Sequence, residues 1–214
     1  MEAIKFRTLS TDPEIDTFLS RFERYVGVKL PYDYAVRSKF VAAFKGEQMV
    51  GGYMLVTRPE FRSLMFVPDT VRREHEFFQN DSYDMMEING VWMSASLKTA
   101  AEQFRIWLHL IVCAFQCRKQ YILLMANQRN INIRHIHAMT GAKDVYEGPP
   151  MLMAGNQSHS TIRVSYTTRW ALLLNVPRYW WEHKSRERRF QRRQKQRAFK
   201  RMTRMANDAG GPQR

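Results

Sequence analysis

Residues 85–116 read MMEINGVWMSASLKTAAEQFRIWLHLIVCAFQ. The first nine, MMEINGVWM, form a continuous apolar run of strand length interrupted at Asn89-Gly90, and a glycine inside such a run marks a bulge or a close backbone approach. From Phe104 onward, Trp107, Leu108, Ile111, Val112 and Phe115 keep a helical period. Between strand and helix lies SASLKTAAEQ, residues 94–103. Strand, tight turn and helix N-terminus together present orphan N–H groups and the positive end of a helix dipole, an arrangement that suits a phosphate, although this turn has no glycine.

Working outward, YILLMAN predicts a short buried strand and NINIRHIHAMTGA a helix closed by Gly141. A helix then joins two strands, which should be parallel with a right-handed crossover. The alternation in STIRVSYT places a closing hairpin in the remainder of the body, GPPMLMAGNQSHSTIRVSYTTRWALLL. On the N-terminal side, DPEIDTFLSRFERYVGV predicts an amphipathic helix that opens at Asp12-Pro13 and buries Ile15, Phe18, Leu19 and Phe22. KFVAAFKGEQMVGGYMLV predicts two antiparallel strands turning at Lys45-Gly46-Glu47-Gln48. Residues 57–84 read as irregular, with Phe61, Leu64, Met65 and Phe66 covering a core edge. The order is αββ, loop, βαβαββ, an α+β layout.

At 214 residues, with 44% apolar and 13% aromatic residues, the chain predicts one globular domain over 1–178 and a basic helical tail over 179–214. No run has the roughly 18–20 uncharged apolar residues of a membrane span, and the start MEAIKFRTLSTDPEID has no apolar leader, so a soluble cytoplasmic protein is expected. Cys113 and Cys117 lie on one helix face as small apolar groups suited to a reducing compartment, and no CxxC metal pattern exists. The net charge is +14, but twelve Lys or Arg against Glu187 and Asp208 put +10 of it after residue 182.

This order of elements resembles the GCN5-related N-acetyltransferase (GNAT) superfamily over about residues 14–170. The resemblance implies a bulged fourth strand, a loop that binds the cofactor pyrophosphate at a helix N-terminus, and a fifth strand that splays away so that acyl-pantetheine lies in the gap. It implies acetyl-CoA or another acyl thioester as donor, an amine as acceptor, and cofactor contacts from Trp92, Met93 and Ser94. The family loop reads Gln or Arg, two residues, Gly, one residue, Gly or Ala; here it is Lys98, Thr99, Ala100, Ala101, Glu102, Gln103. The cation is kept, while Gln103 and Glu102 bring bulk and negative charge toward the phosphate position. Downstream, the family's Asn, six residues, Tyr, three residues, Gly becomes Asn130, His137, Gly141, with Ala142 where an aromatic is usual.

The family tyrosine protonates the leaving thiolate, and His137 takes that position as candidate acid; the alternative is a surface histidine beside His135. Glu87, in mid-strand between Met86 and Ile88, is either a desolvated general base acting through a water or a carboxylate paired with an arginine. Acyl-homoserine-lactone and N-acyl amino acid synthases share the fold, use acyl-carrier protein, and have a strand like WEISR with a functional Glu. MEING at 86–90 matches its Glu and Ile without the Trp and Arg, and GGYML places Met54 where their Gly-x-x-Arg-Leu has arginine.

In the tail, Arg186, Arg188, Arg189, Arg192, Arg193, Lys195, Arg197, Lys200 and Arg201 would cover nearly every face of a helix. Such a polycation suits nucleic acid by counterion release, or an acidic protein such as an acyl-carrier protein. Trp180, Trp181, Phe190 and Phe199 suit base stacking or a membrane interface, with the Trp pair also able to pack on the body. Two functions remain: an N-acyltransferase, or a GNAT-fold scaffold without catalysis whose tail binds nucleic acid or a large assembly.

Overall fold

Thr11 and Glu14 close a capping box, Pro13 sits in the first turn, and Gly27 at φ 74° ends the helix, so α1 spans Asp12–Val26 as its sequence predicts. The protein is described here by a computed structural model covering residues 2–127, 131–151, 161–185, 187–189, 191, 192 and 196. Ahead of α1 lies β1 (Ile4–Leu9), a strand not anticipated because only Ile4, Phe6 and Leu9 are apolar; it is held by pairing along β2, from Ile4↔Lys45 to Leu9↔Phe40. After α2 (Tyr32–Ala35) comes the expected hairpin of β2 (Lys39–Lys45) and β3 (Gln48–Val56). The stretch 57–84 holds two short helices, α3 (Arg62–Met65) and α4 (Asp69–Glu74), and two 3₁₀ turns, with Phe61 and Phe66 buried.

The second half runs β4 (Met85–Met93), α5 (Ala100–Gln116), β5 (Tyr121–Asn127), α6 (Ile131–Met139), β6 (Lys143–Gly148), β7 (Ile162–Thr168) and α7 (Arg169–Leu174). Seven strands form one mixed sheet in the order β1-β2-β3-β4-β5-β7-β6, with β4 and β5 parallel and the other neighbours antiparallel. The fold class is α+β, as expected. The closing hairpin differs in detail: its first arm is β6, which ends at Gly148 ahead of Pro149-Pro150, β7 inserts between β5 and β6, and RWALLL is α7. The Thr168 hydroxyl caps Ala171 N–H, which turns the chain from strand to helix at that point.

Helices cover both faces. α1, α2 and α3 pack a core around Phe18, Phe40, Met54 and Trp92, and α5 with α7 pack another around Leu110, Ile111, Ile122 and Leu172. Cys113 and Cys117 are free thiols packed against the second core, as expected. Helical backbone resumes at 176–185, across the junction expected at 178/179. Tyr179 is 3% exposed, with its ring 5.9 Å from both Phe104 and Trp107, so the first turns of the basic segment belong to the packed body.

The bulge expected at Asn89-Gly90 is present. Gly52 pairs with Trp92 and Met54 with Asn89, so β4 spends one residue more than β3 over this interval, and Gly90 takes φ 60° there. An added Cβ at Gly90 would lie 2.6 Å from the sulfur of the fully buried Met54. Left-handed strain and this overlap add, so Gly90→Ala is expected to lower unfolding free energy by about 2 kcal/mol in urea denaturation.

Candidate active site

β4 and β5 pair through Met85↔Tyr121, Met86↔Ile122 and Glu87↔Leu123 and then part. Beyond Glu87 a cleft of about 750 Å³ opens through the sheet, walled by Val91, Trp92 and Met93 on one side and Leu124, Met125 and Ala126 on the other. Phe22, Val26, Arg62 and Asn89 line its mouth on the α1 face. Trp107, Leu110, Leu172 and Val176 line the mouth on the α5 face. Among the described residues no strand pairs with the β5-facing edge of β4 between Ile88 and Met93, and within it Gly90 N donates to Asn89 Oδ1 at 2.7 Å.

Glu87 lies at the root of the splay, 0% exposed, and does not itself line the cleft. Its Oε2 accepts from Tyr34 Oη and Arg62 N, both at 2.9 Å, and its Oε1 from Ser63 N at 3.1 Å and Asn89 Nδ2 at 3.4 Å. Burial pushes its pKa above the ordinary carboxylate range, opposed first by the Tyr34 hydroxyl and then by the Ser63 amide. Every partner is a donor, which requires the acceptor-only carboxylate. Burial, with the Glu87 charge beside it, raises Tyr34 well above its usual value, so its hydroxyl stays a donor. A general base acting through a water was one expectation for Glu87; the carboxylate is instead sealed beneath Tyr34, Asn89 and the α3 backbone, while Arg62 and Asn89 form the surface that meets the cleft.

His137, from α6, does line the cleft, and it is 8% exposed. Burial, reinforced by the Arg163 charge, holds its pKa down at about 4, so it is a neutral imidazole at pH 7. The candidate acid thus lines the cleft as a neutral ring at pH 7. Among the described residues its Nδ1 is buried without a hydrogen-bond partner. Trp92 and Met93 line the cleft as well, with Trp92 stacked on Tyr25 at 5.1 Å. Ser94 is buried just past them, its N–H donating to Val50 O and its hydroxyl sharing hydrogen bonds with Tyr25 and Ser96.

The loop expected to cradle pyrophosphate is satisfied in part from within. Thr99 caps α5: its Oγ1 accepts from Glu102 N at 3.1 Å, and Glu102 Oε2 accepts from Thr99 N at 3.1 Å. Lys45 Nζ holds Glu102 Oε1 at 2.8 Å; that ammonium first, then the Thr99 amide, keeps this carboxyl below its ordinary value. Gln103 Nε2 donates to Leu97 O, while Lys98 is exposed and Ala100 and Ala101 open the helix. None of residues 94–103 lines the cleft. Asn130 lies outside the described residues, as do Arg186, Arg193, Lys195, Arg197, Lys200 and Arg201. Arg188, Arg189 and Arg192 are exposed on helical backbone, and Arg189 pairs with Glu182 at 3.0 Å.

Sequence reading missed Arg62, Tyr34 and Asn89. Arg62 sits in the aperiodic segment 57–84 and Tyr34 in a one-turn helix, where no pattern marks them; Asn89 was visible only as the neighbour of the bulge glycine. Arg62 is 2% exposed, its guanidinium 5.2 Å above the Phe66 ring. Among the described residues no group of three or more His, Cys, Asp or Glu is placed to hold a metal ion.

No protein-family model and no curated protein sequence matches the chain. Its fold does match solved structures. FeeM, an N-acyl amino acid synthase from uncultured soil microbes, superposes with a TM-score of 0.57 at 12% identity, over 79% of this chain and 92% of that one. The ribosomal-protein-S18-alanine N-acetyltransferase from Escherichia coli gives 0.54 at 8% identity, over 78% and 94%. A GNAT family acetyltransferase from Elizabethkingia anophelis with acetyl-CoA bound gives 0.53 at 10% identity, over 77% and 97%. At such identities the backbone path is what is shared, and this chain has the GNAT fold.

Two outcomes test the site's electrostatics. The folded pKa of His137 lies below its unfolded value of 6.5, so the stability it contributes is complete above pH 6.5 and is lost as pH falls toward about 4. Denaturation across that window should show wild type losing up to about 3 kcal/mol more than His137→Phe. Glu87→Gln confronts buried donors with an amide NH₂ and should cost about 2–4 kcal/mol at pH 7, measured the same way.

Proposed function

We propose that the chain is an N-acyltransferase that moves an acyl group from a thioester, acyl-CoA or the thioester of an acyl-carrier protein, to an amine. The observation that carries this reading is the apolar cleft between β4 and β5, lined by residues from both sheet faces and bordered by β4. An acyl-pantetheine arm is long, apolar at its acyl end, and carries two amides besides the thioester carbonyl, and this cleft offers apolar walls with backbone polar groups along one edge. Donor and amine would enter from opposite faces and meet at the splay. The acetyl-CoA carried by the Elizabethkingia anophelis enzyme and the N-acyl amino acid synthase activity of FeeM are in keeping with a thioester donor.

In this mechanism the amine lone pair attacks the thioester carbonyl carbon. A C–N bond forms, the C–S bond breaks, and the proton lost by nitrogen ends on the thiolate sulfur, giving amide and thiol. Edge N–H groups between Ile88 and Met93 stabilise the oxyanion that develops on the carbonyl. Trp92 and Met93 hold the arm. Asn89 and Arg62 orient the acceptor at the α1 mouth, and Glu87 is a positioning residue that fixes Asn89 directly and Arg62 through its backbone N–H. His137, neutral at pH 7, offers a hydrogen bond at Nδ1 on the α6 side.

Glu102 already caps the α5 N-terminus, so Lys98, Thr99, Ala100, Ala101 and Gln103 grip a nucleotide weakly in this reading. Most donor affinity then comes from the acyl-pantetheine arm, a feature that acyl-CoA and acyl-carrier protein share. Thiol release measured for acyl-CoAs of increasing chain length and for acyl-carrier protein, with a panel of amines, tests this. Turnover should favour the longer chains, and matched acyl-CoA and acyl-pantetheine should have dissociation constants within about tenfold, or about 1.4 kcal/mol. If no thioester is bound or consumed, the acyltransferase reading fails and a scaffold role takes its place.

A further inference from the structure

We infer that the outer face of the α5 and C-terminal helix layer docks on an anionic phospholipid membrane. The two helices run antiparallel, since Phe115 meets Trp170 at 5.0 Å while Phe104 meets Trp180 at 4.6 Å. Their inner sides bury Leu110, Ile111, Leu172 and Tyr179. Their outer sides leave Leu108 38%, Val112 41%, Trp170 51%, Leu174 75% and Trp181 71% exposed. Trp170 and Leu174, four apart, share one side of α7, Trp181 is exposed on the helical stretch that resumes at 176, and Leu108 and Val112 share one side of α5.

Cations continue the apolar side. Lys184, Arg188 and Arg192 are exposed and follow Trp181 at three, seven and eleven residues, with Arg178 exposed between Leu174 and Trp181. Beyond residue 182 the chain carries +10 of its +14 charge. An apolar side containing tryptophan and leucine, followed on the same side by lysine and arginine, is complementary to a lipid interface: the apolar groups enter the boundary of headgroups and acyl chains while the cations meet phosphates. Among the described residues no helix is long and apolar enough to cross a membrane, so the layer would lie on the surface.

Nucleic acid explains the cations but not the patch. Leucine and valine gain nothing from a phosphate backbone, and Trp170 is already engaged, T-shaped with Phe115 at 5.0 Å and with the Arg169 guanidinium 5.3 Å over its ring. This inference stands independently of the acyltransferase reading.

The test is co-sedimentation of the full chain with vesicles of phosphatidylcholine alone or mixed with phosphatidylglycerol, with tryptophan emission recorded. Binding should require phosphatidylglycerol, shift the emission to the blue, and persist in part when salt screens the charges. Leu174→Glu and Trp181→Ser should each weaken it by about tenfold with unchanged thermal unfolding, because both side chains are exposed. The inference is overturned by any of three results: no vesicle binding by wild type, binding that salt abolishes and both substitutions leave intact, or complete competition by duplex DNA with the two variants binding that DNA as wild type does. The wild-type salt titration decides between apolar insertion and simple charge attraction without relying on either variant.

Discussion

Three residue pairs fasten β4 to β5, from Met85↔Tyr121 to Glu87↔Leu123, and past them each strand is satisfied along one edge only: β4 by β3, and β5 by β7 along its whole length. The remaining edges face one another across the cleft. Backbone polar groups set among apolar walls are costly unless they meet a partner. Apolar groups would answer the walls, and hydrogen-bonding groups the edge. The bulge at Gly90 contributes by turning β4 at the point where the gap opens, so backbone geometry creates the site before any side chain enters it.

Glu87 ties that opening to the rest of the molecule. One buried carboxylate collects the Tyr34 hydroxyl from α2, the first backbone amides of α3, and the Asn89 amide from its own strand. The segment 57–84, which has no periodicity of its own, is thereby placed against the cleft, and Arg62 comes with it. A charge in so dry a place is tolerable because four donors converge on it, and the same convergence keeps it off the cleft surface. Its role follows from what it holds in place.

Legibility in the sequence varied with the range of the interactions involved. α1, α5, the β2–β3 hairpin and the bulged β4 depend on periodicity and on glycine, both local, and each lies where the pattern puts it. β1 was missed because its few apolar residues become a strand only along β2. β7 was visible as an alternating run, but its insertion between β5 and β6 is a long-range choice among edges. At the loop, the Thr99 to Glu102 spacing is a local capping signature, whereas the Lys45 that fixes Glu102 is 57 residues away. A negative residue near a presumed phosphate turn is thus one half of a capping box at that helix start.

Composition and pattern alone determined the α+β class, the alternation of helix and strand, the place of the bulge and the concentration of charge after residue 182. Each of these depends on near neighbours along the chain. Only the tertiary structure decided that Glu87 is sealed, that His137 is neutral at pH 7, that Arg62 reaches the cleft, and that Trp170, Leu174 and Trp181 face outward while Tyr179 is buried. Burial and electrostatic environment are sums over groups brought together from distant parts of the chain, and such sums do not exist until the sheet has closed around them.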